Sequence, residues 1–275
     1  MKKIEFGFIQ GRMTNTPSKN LLQYFPKKNW RKEFFYAKKY NFKFIEYFGE
    51  RKFNKNNPIW NEKNLNDINL LVKKNKLYNY SFCDDYFINN SLINYKDFES
   101  YYSKLSNNLF KIKIKVYVLA LFEKSIIRKN NIKIYAKRIK IIAKIFDKLG
   151  VKVALETNVD AKLISHLLKL IKKKNVFIVY DTGNRLKEGN LQFTEIIQLK
   201  NYILHVHLKD KNWDGENVIL GTGSVNFASI LMALKLIKFK GKFVFETNRG
   251  NNPRKTMIRN KNYILNKLNR INIKK

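Results

Sequence analysis

Apolar and polar positions along the chain follow two alternating patterns. Short runs rich in valine, isoleucine, tyrosine and phenylalanine have the composition of β-strands. There are eight of them, at residues 3–10, 42–49, 77–84, 115–122, 151–158, 176–183, 202–209 and 242–248. Between these runs, apolar residues recur with the spacing of one face of a helix.

The helical pattern is clearest in three stretches. Residues 131–150 end at Gly150, a common helix terminator, and their apolar positions are Ile134, Ile139, Ile142, Ile145 and Phe146. Residues 160–174 have Leu163, Leu167 and Leu170 on one face, and residues 226–241 repeat the pattern and end at Gly241.

Strand–helix alternation predicts a parallel sheet, because parallel strands need crossover connections. Eight such units in 275 residues predict a closed (β/α)₈ TIM barrel, an α/β fold, with an open doubly wound sheet as the alternative. No G-x-G-x-x-G follows the first strand, and this disfavours a dinucleotide-binding sheet. No linker rich in proline or glycine divides the chain, so we expect one domain over residues 1–275, with the polar loop 49–61 capping the barrel mouth.

The amino-acid composition indicates the size of the core and the compartment expected for the protein. Hydrophobic residues make up 44% of the chain, which is enough for a sizeable core. The single cysteine, Cys83, excludes an internal disulfide and is expected to be buried in the third strand of a protein from a reducing compartment. Polar residues interrupt the first apolar run, and no stretch has the ~20 apolar residues of a membrane span, so we expect a cytoplasmic protein.

The formal net charge is +35, which taken alone favours a polyanionic partner such as nucleic acid. However, the lysines are spread over nearly every predicted helix, as an AT-rich coding sequence would produce, whereas a nucleic-acid footprint is expected to be a patch or stripe. We therefore expect a small-molecule partner, including phosphorylated metabolites. A homo-oligomer is left open.

Four consecutive predicted strands each carry an ionisable residue near the carboxyl end. They are Glu156, Asp181, His207 and Glu246. Active-site groups of TIM barrels lie at this end of the strands. Three carboxylates that converge there repel one another unless a cation lies between them. A divalent metal ion held by three carboxylates and one imidazole would resolve the repulsion.

The segments ALETN, VYDTGN, HVHLKD, GTGSVNF and FETNRG, in that order, together with GFIQGRM and SFCDDYF, resemble the sugar-phosphate isomerase/epimerase family of xylose-isomerase-like TIM barrels. This family includes hexulose-6-phosphate isomerases and pentulose-5-phosphate 3-epimerases. The resemblance implies one divalent ion (Mn²⁺, Mg²⁺, Co²⁺ or Zn²⁺) bound by the same four residues. It also implies that Glu156 and Glu246 are the acid/base pair of an isomerase or epimerase acting on a ketose or ketose phosphate through an enediolate.

Other residues are candidates for substrate contact at the same rim: Lys209, Asn184, Arg249, Glu46, Gln10 and Arg12. A purely structural role is the simpler interpretation for the last four. Lys209 could instead pair with a ligand carboxylate. Asn184 stands where some relatives have a substrate-holding histidine, so the sugar is left open.

Residues 221–227 are expected to form a glycine turn that opens a helix. Backbone N–H groups at a helix start bind phosphate readily, and Gly221, Gly223 and Ser224 are the candidates. The alternative is a tight loop with a helix cap, for which Asn226 is suited.

The three histidines are expected to differ in role. His205 and His207 lie on one side of the seventh strand, with His207 nearer the rim as a metal ligand and His205 one layer deeper as a hydrogen-bonded packing residue. His166 falls in a predicted helix and is expected at the surface.

Three other functions compete with a sugar isomerase. An apurinic endonuclease on the same fold fits the basic charge, but its multi-zinc site uses more histidines than the three in this chain. A non-catalytic barrel that binds a sugar or polyanion would lack bound metal or solvent-exchange activity. A hydroxypyruvate or inosose-type isomerase or dehydratase would share the metal site.

Overall fold

The computed structural model describes residues 4–17, 21–186 and 191–273. Eight parallel strands close into a barrel in the order β1-β8-β7-β6-β5-β4-β3-β2. The strands are β1 (Phe6–Ile9), β2 (Phe44–Gly49), β3 (Ser81–Asp84), β4 (Val116–Ala120), β5 (Lys152–Glu156), β6 (Val176–Asp181), β7 (Ile203–Leu208) and β8 (Lys242–Phe245). The predicted (β/α)₈ barrel is confirmed, and each predicted strand contains one of these eight.

Helices follow the strands and cover the outside of the barrel. They are α1 (Trp30–Lys39), α2 (Glu62–Lys74), α3 (Phe98–Lys111), α4 (Ile132–Asp147), α5 (Ala161–Ile171), α6 (Leu191–Gln198), α7 (Phe227–Leu236) and α8 (Pro253–Ile273). Shorter turns of helix at Pro58–Trp60, Tyr86–Asn89 and Glu123–Ser125 lie in the loops that follow β2, β3 and β4. Within the described residues, no helix is both long and apolar enough to cross a membrane.

The barrel has a large apolar layer between strands and helices and a small one inside. The inner cluster consists of Cys83, Val116, Val118, Ala154 and Val179, all at most 2% exposed. Side chains alternate along a strand, so Ala154 shares its face with Glu156, and Val179 shares its face with Asp181. Small apolar residues therefore fill the barrel below the polar strand ends.

Local features differ from the sequence-based expectations in three places. Ile134, predicted on the apolar face of its helix, is 49% exposed. β3 begins at Ser81, four residues later than predicted. The segment after β7 forms a two-stranded antiparallel hairpin, Asp210–Lys211 with Asn217–Val218, which was not predicted although Asp214-Gly215 is a hairpin-turn signal.

Candidate active site

Four strand ends bring the predicted metal ligands together. Glu156 ends β5, Asp181 ends β6, His207 lies in β7, and Glu246 follows β8 directly. All four are at most 4% exposed. One ligand atom from each lies within 4.8 Å of the others. Donors around one ion at ~2.1 Å are up to ~4.2 Å apart, so the four side chains lie close to the spacing that one ion requires.

The ring of His207 fits a bound cation. Its Nδ1 lies 3.0 Å from Glu246 Oε2 and 3.6 Å from Glu156 Oε2, while its Nε2 lies 2.8 Å from Glu46 Oε1. Burial alone would lower the pKa of His207, but the charges of Glu46 and Glu156 raise it well above its ordinary value. A divalent ion can replace the Nδ1 proton while Nε2 stays beside the Glu46 carboxylate. A carboxylate at the second ring nitrogen is common among metal-binding histidines.

Glu46 was expected at the rim but lies beneath His207 and has no exposed surface. Its Oε2 accepts a 2.6 Å hydrogen bond from Ser81 and lies 3.3 Å from His205 Nε2. Although burial alone would raise the pKa of Glu46, His207 and His205 lower it to about 2. Glu46 lies three residues before the end of β2, so its side chain is in the barrel interior. Its oxygens contact neighbouring side chains there. Glu46 therefore has no exposed surface with which to make the expected substrate contact.

His205 lies one layer below His207, as expected. It is fully buried, and burial lowers its pKa. Its Nε2 is 3.2 Å from His207 Nε2. His166 is exposed on α5, as expected for a surface histidine.

Lys209 is the cation nearest the cluster. Its Nζ lies 3.0 Å from Asp181 Oδ2 and 2.7 Å from Glu246 Oε1, and the residue is only 4% exposed. Burial would lower its pKa, but the charges of Asp181 and Glu246 raise it. Lys209 thus pairs with two of the predicted ligands, the alternative considered from the sequence.

The carboxyl groups of Asp181 and Glu246 are held differently. Burial raises the pKa of Asp181 to about 6, against the opposing charge of Lys209. Its Oδ1 accepts the backbone N–H groups of Gly183 and Asn184 at 2.8 and 2.7 Å. Burial also acts to raise the pKa of Glu246, but Lys209 and His207 hold it below its ordinary value. Asp181 therefore has one oxygen fixed by the backbone and the other facing a cation.

A cavity of about 870 Å³ opens above the cluster. Its floor contains Glu156, Asn184, Lys209 and Glu246, and its walls include Phe48, Ile88, Phe122 and Ile126. The predicted loop 49–61 contributes Glu50, Arg51 and Lys52 to its mouth. Asn184 Nδ2 donates a 3.3 Å hydrogen bond to Glu156 Oε1. Asn184 and Lys209 are therefore the predicted substrate contacts that face the cavity.

Arg12 and Arg249 hold a loop segment. Arg249 Nη1 donates to the carbonyl oxygens of Leu21 and Leu22 at 2.6 and 2.8 Å. Arg12 donates to the carbonyl oxygen of Leu22 and, at 2.8 Å, to Gln23 Oε1. Residues 21–25 line the cavity, so both arginines support the site by holding this segment. Arg12 Nη2 also lies 3.8 Å from Glu246 Oε1. Neither arginine makes the substrate contact that the sequence suggested.

Gln23 was missed by sequence reasoning. Its Nε2 donates a 2.9 Å hydrogen bond to Glu246 Oε1, across 223 residues of sequence. A single glutamine in a loop carries no signal of such a contact.

The loop after β1 is anchored by Glu33 of α1. Its carboxylate accepts the N–H of Gly11 at 2.8 Å and that of Met13 at 3.1 Å. Burial raises the pKa of Glu33 to about 7, although these bonds act to lower it. Gln10, a rim candidate, is fully buried, and its amide has no hydrogen-bond partner among the described residues.

The glycine loop after the hairpin uses its N–H groups internally. Gly221 and Gly223 donate to Asp210 Oδ2 at 2.8 and 3.1 Å, and Ser224 N–H donates to the carbonyl oxygen of Lys211 at 2.8 Å. Asn226 caps α7 by accepting the N–H of Ser229 at 3.0 Å. The geometry is that of the alternative, a tight loop with a helix cap. Phosphate binding by this loop stays a prediction that would require these bonds to break.

The end of β3 adds two further groups. Asp85 lines the cavity and is 3% exposed, and burial together with the charges of Glu156 and Glu246 raises its pKa. Cys83 is buried, as predicted, and its Sγ lies 3.7 Å from Asp85 Oδ1 and 3.8 Å from Glu156 Oε2. The strand-end rule used for the metal ligands would also have identified Asp85.

Comparisons with known proteins agree with this architecture. D-psicose 3-epimerase with D-tagatose from Clostridium cellulolyticum H10 superposes with a TM-score of 0.74 at 17% identity, over 98% of this chain and 99% of that one. L-ribulose 3-epimerase superposes with a TM-score of 0.78 at 13% identity, over 99% and 97%. At these identities the similarity is one of fold.

Two sequence comparisons go further. Protein MJ1311 of Methanocaldococcus jannaschii is 31% identical in an alignment of 116 positions that covers 38% of this chain and 40% of that protein. The chain therefore matches less than half the length of this curated relative. The family described as xylose isomerase-like TIM barrel matches residues 34–267, most of the chain. The chain thus belongs to the xylose isomerase-like TIM barrel family.

Proposed function

We propose that this protein is a divalent-metal-dependent isomerase or epimerase of a ketose or ketose phosphate. The observation that carries the proposal is the buried cluster of three carboxylates and one imidazole at the floor of an 870 Å³ cavity. The fold that it shares with sugar 3-epimerases supports the same function. Glu156, Asp181, His207 and Glu246 would hold the ion. When bound, it would act as a Lewis acid on the substrate carbonyl.

Glu156 and Glu246 are the proposed acid/base pair. β6 and β7 lie between their strands, so the two carboxylates reach the cavity from different sides. One would remove the proton on the carbon next to the carbonyl, and the other would return a proton to the opposite face for epimerisation. Return to the neighbouring carbon would give isomerisation.

The remaining cavity residues would bind and enclose the sugar. Asn184 and Lys209 offer polar groups to its hydroxyls, while Phe48 and Phe122 would exclude water. Arg51, Lys52 and Lys211 bring positive charge to the same cavity, which supports a phosphorylated substrate as one option.

An apurinic endonuclease site is less well supported. The cluster contains one imidazole beside three carboxylates, and the neighbouring His205 is paired with Glu46. A site for several zinc ions would need further histidine ligands at the floor of the cavity.

The test is exchange of a substrate C–H proton with D₂O, followed by NMR, over a panel of pentuloses, hexuloses and their phosphates with Mn²⁺. We expect exchange with at least one of them, and loss of at least ~100-fold in rate on Glu246→Gln, since general acid–base groups typically contribute 10²–10⁴-fold. Glu123→Gln, an exposed residue at the cavity mouth, is the matched control. Metal binding without exchange for any sugar would favour a non-catalytic sugar-binding barrel.

A further inference from the structure

We propose that Lys209 is a positioning residue of the metal centre: its ammonium holds Asp181 and Glu246 together in the metal-free protein and is displaced when the ion enters. This inference rests on the proposed function, because it concerns the same four ligands. It assigns to Lys209 a role in setting metal affinity in addition to any contact with substrate.

The topology gives Lys209 this position. It follows β7, whose two neighbours in the barrel are β6 and β8. Asp181 ends β6 and Glu246 follows β8. A single ammonium from the central strand therefore bridges carboxylates from both flanking strands, with Nζ–O distances of 3.0 and 2.7 Å.

The site is shaped around the stem of this side chain. A Cβ at Gly183 would lie 2.7 Å from Lys209 Cγ and 3.1 Å from its Cβ, closer than packed atoms allow. The hydroxyl of Thr182 accepts the N–H of Lys209 at 2.9 Å and donates to its carbonyl oxygen at 2.6 Å. Gly183 thus provides the space and Thr182 fixes the backbone, so Lys209 is held in place over the cluster.

The ammonium and a divalent ion compete for one oxygen, Asp181 Oδ2. Asp181 Oδ1 is already used by two backbone N–H groups, so Oδ2, which faces Lys209, is the oxygen left for a metal. An ammonium and a divalent ion that both contact this oxygen would lie only a few ångströms apart, and two cations that close repel strongly in a buried site. The ion must therefore displace the ammonium, and Lys209, which also lines the cavity, then points toward the substrate. The lysine stabilises the metal-free site and lowers the affinity for metal.

The test is a calorimetric titration of metal-free protein with Mn²⁺ for the wild type and Lys209→Met. We expect the variant to bind Mn²⁺ about tenfold more tightly or better, because one competing positive charge is gone. We also expect its metal-free form to melt at a lower temperature than the wild type. Lys211→Met is the matched control, since Lys211 lines the same cavity while the close pairs to Asp181 and Glu246 are made by Lys209. Its affinity should change by less than about threefold.

The sign of the change separates this role from a purely structural one. If Lys209 only supports the fold, Lys209→Met binds Mn²⁺ equally or more weakly, and the inference is wrong. If Lys209→Met does not fold, Gly183→Ala replaces it, because the added methyl displaces the lysine stem and keeps its charge. Gly183→Ala should also bind Mn²⁺ more tightly, and unchanged or weaker binding would overturn the inference. A wild type that binds no Mn²⁺ would instead overturn the proposed function.

Discussion

Glu46→Gln tests whether the carboxylate beneath His207, a proposed metal ligand, determines which ring nitrogen of His207 carries the proton. Glu46 uses Oε1 for His207 Nε2 at 2.8 Å, and Oε2 for Ser81 at 2.6 Å and His205 at 3.3 Å. A glutamine has only one acceptor oxygen, so either His207 or the pair Ser81 and His205 would face an NH₂ group instead of an acceptor. If its amide group faces His207, the proton moves to Nδ1, the nitrogen that would bind the ion.

The expected size of the effect follows from that geometry. Replacing the hydrogen-bonding partner of a metal-bound histidine typically costs 10–100-fold in metal affinity, or about 1.4–2.7 kcal/mol. We expect a loss in this range for Mn²⁺ binding to Glu46→Gln, measured by calorimetric titration at pH 7.5. The free energy of unfolding of the metal-free variant, from urea denaturation, shows whether the protein is still folded.

The control for this prediction is Glu123→Gln, which removes an equal charge from an exposed position at the cavity mouth. It should leave Mn²⁺ affinity within about twofold of the wild type. An affinity of Glu46→Gln within twofold of the wild type, in a folded protein, would refute the role of Glu46 in orienting His207.

Two stability predictions follow from other buried or capping groups. The pKa of Glu33 is raised from 4.5 to about 7, so the folded protein holds this proton more tightly than the unfolded chain. This contribution to stability is complete below pH ~4.5 and is lost as the pH rises through ~7, a change of about 3 kcal/mol. The free energy of unfolding can be measured by urea denaturation at pH 5 and pH 8 for the wild type and Glu33→Gln. Between these two pH values the wild type should lose most of this amount relative to the variant. An equal change in both proteins would contradict the prediction. Asn226→Ala removes the cap of α7 and should lower the free energy of unfolding by about 1 kcal/mol, whereas an unchanged value would mean that the bond to Ser229 is not stabilising.

The barrel and the convergence of four ionisable side chains at its strand ends could be predicted because they depend on short-range patterns. Strand runs and helical spacing define the order of elements, and closure of the barrel brings consecutive strand ends together. Glu156, Asp181 and Glu246 were identifiable because a carboxylate at the end of an apolar strand needs a partner. The same rule, applied to depth along the strand, would have put Glu46 below the rim, since it lies in the middle of the predicted strand 42–49.

Contacts between distant loops could not be predicted in this way. An arginine is equally suited to a substrate phosphate and to backbone carbonyl oxygens, and only the path of residues 21–25 decides between them for Arg12 and Arg249. Gln23 reaches Glu246 for the same reason. The glycine loop fits both phosphate binding and a tight turn by sequence alone, because no local pattern shows that Asp210 accepts its N–H groups.

The central claim is that Glu156, Asp181, His207 and Glu246 form one divalent metal site. The most direct measurement is the Mn²⁺ stoichiometry of the metal-stripped wild-type protein, obtained by equilibrium dialysis with metal analysis by mass spectrometry. The geometry predicts one tightly bound ion per chain. No bound ion, or several loosely bound ions that leave with added salt, would contradict the claim.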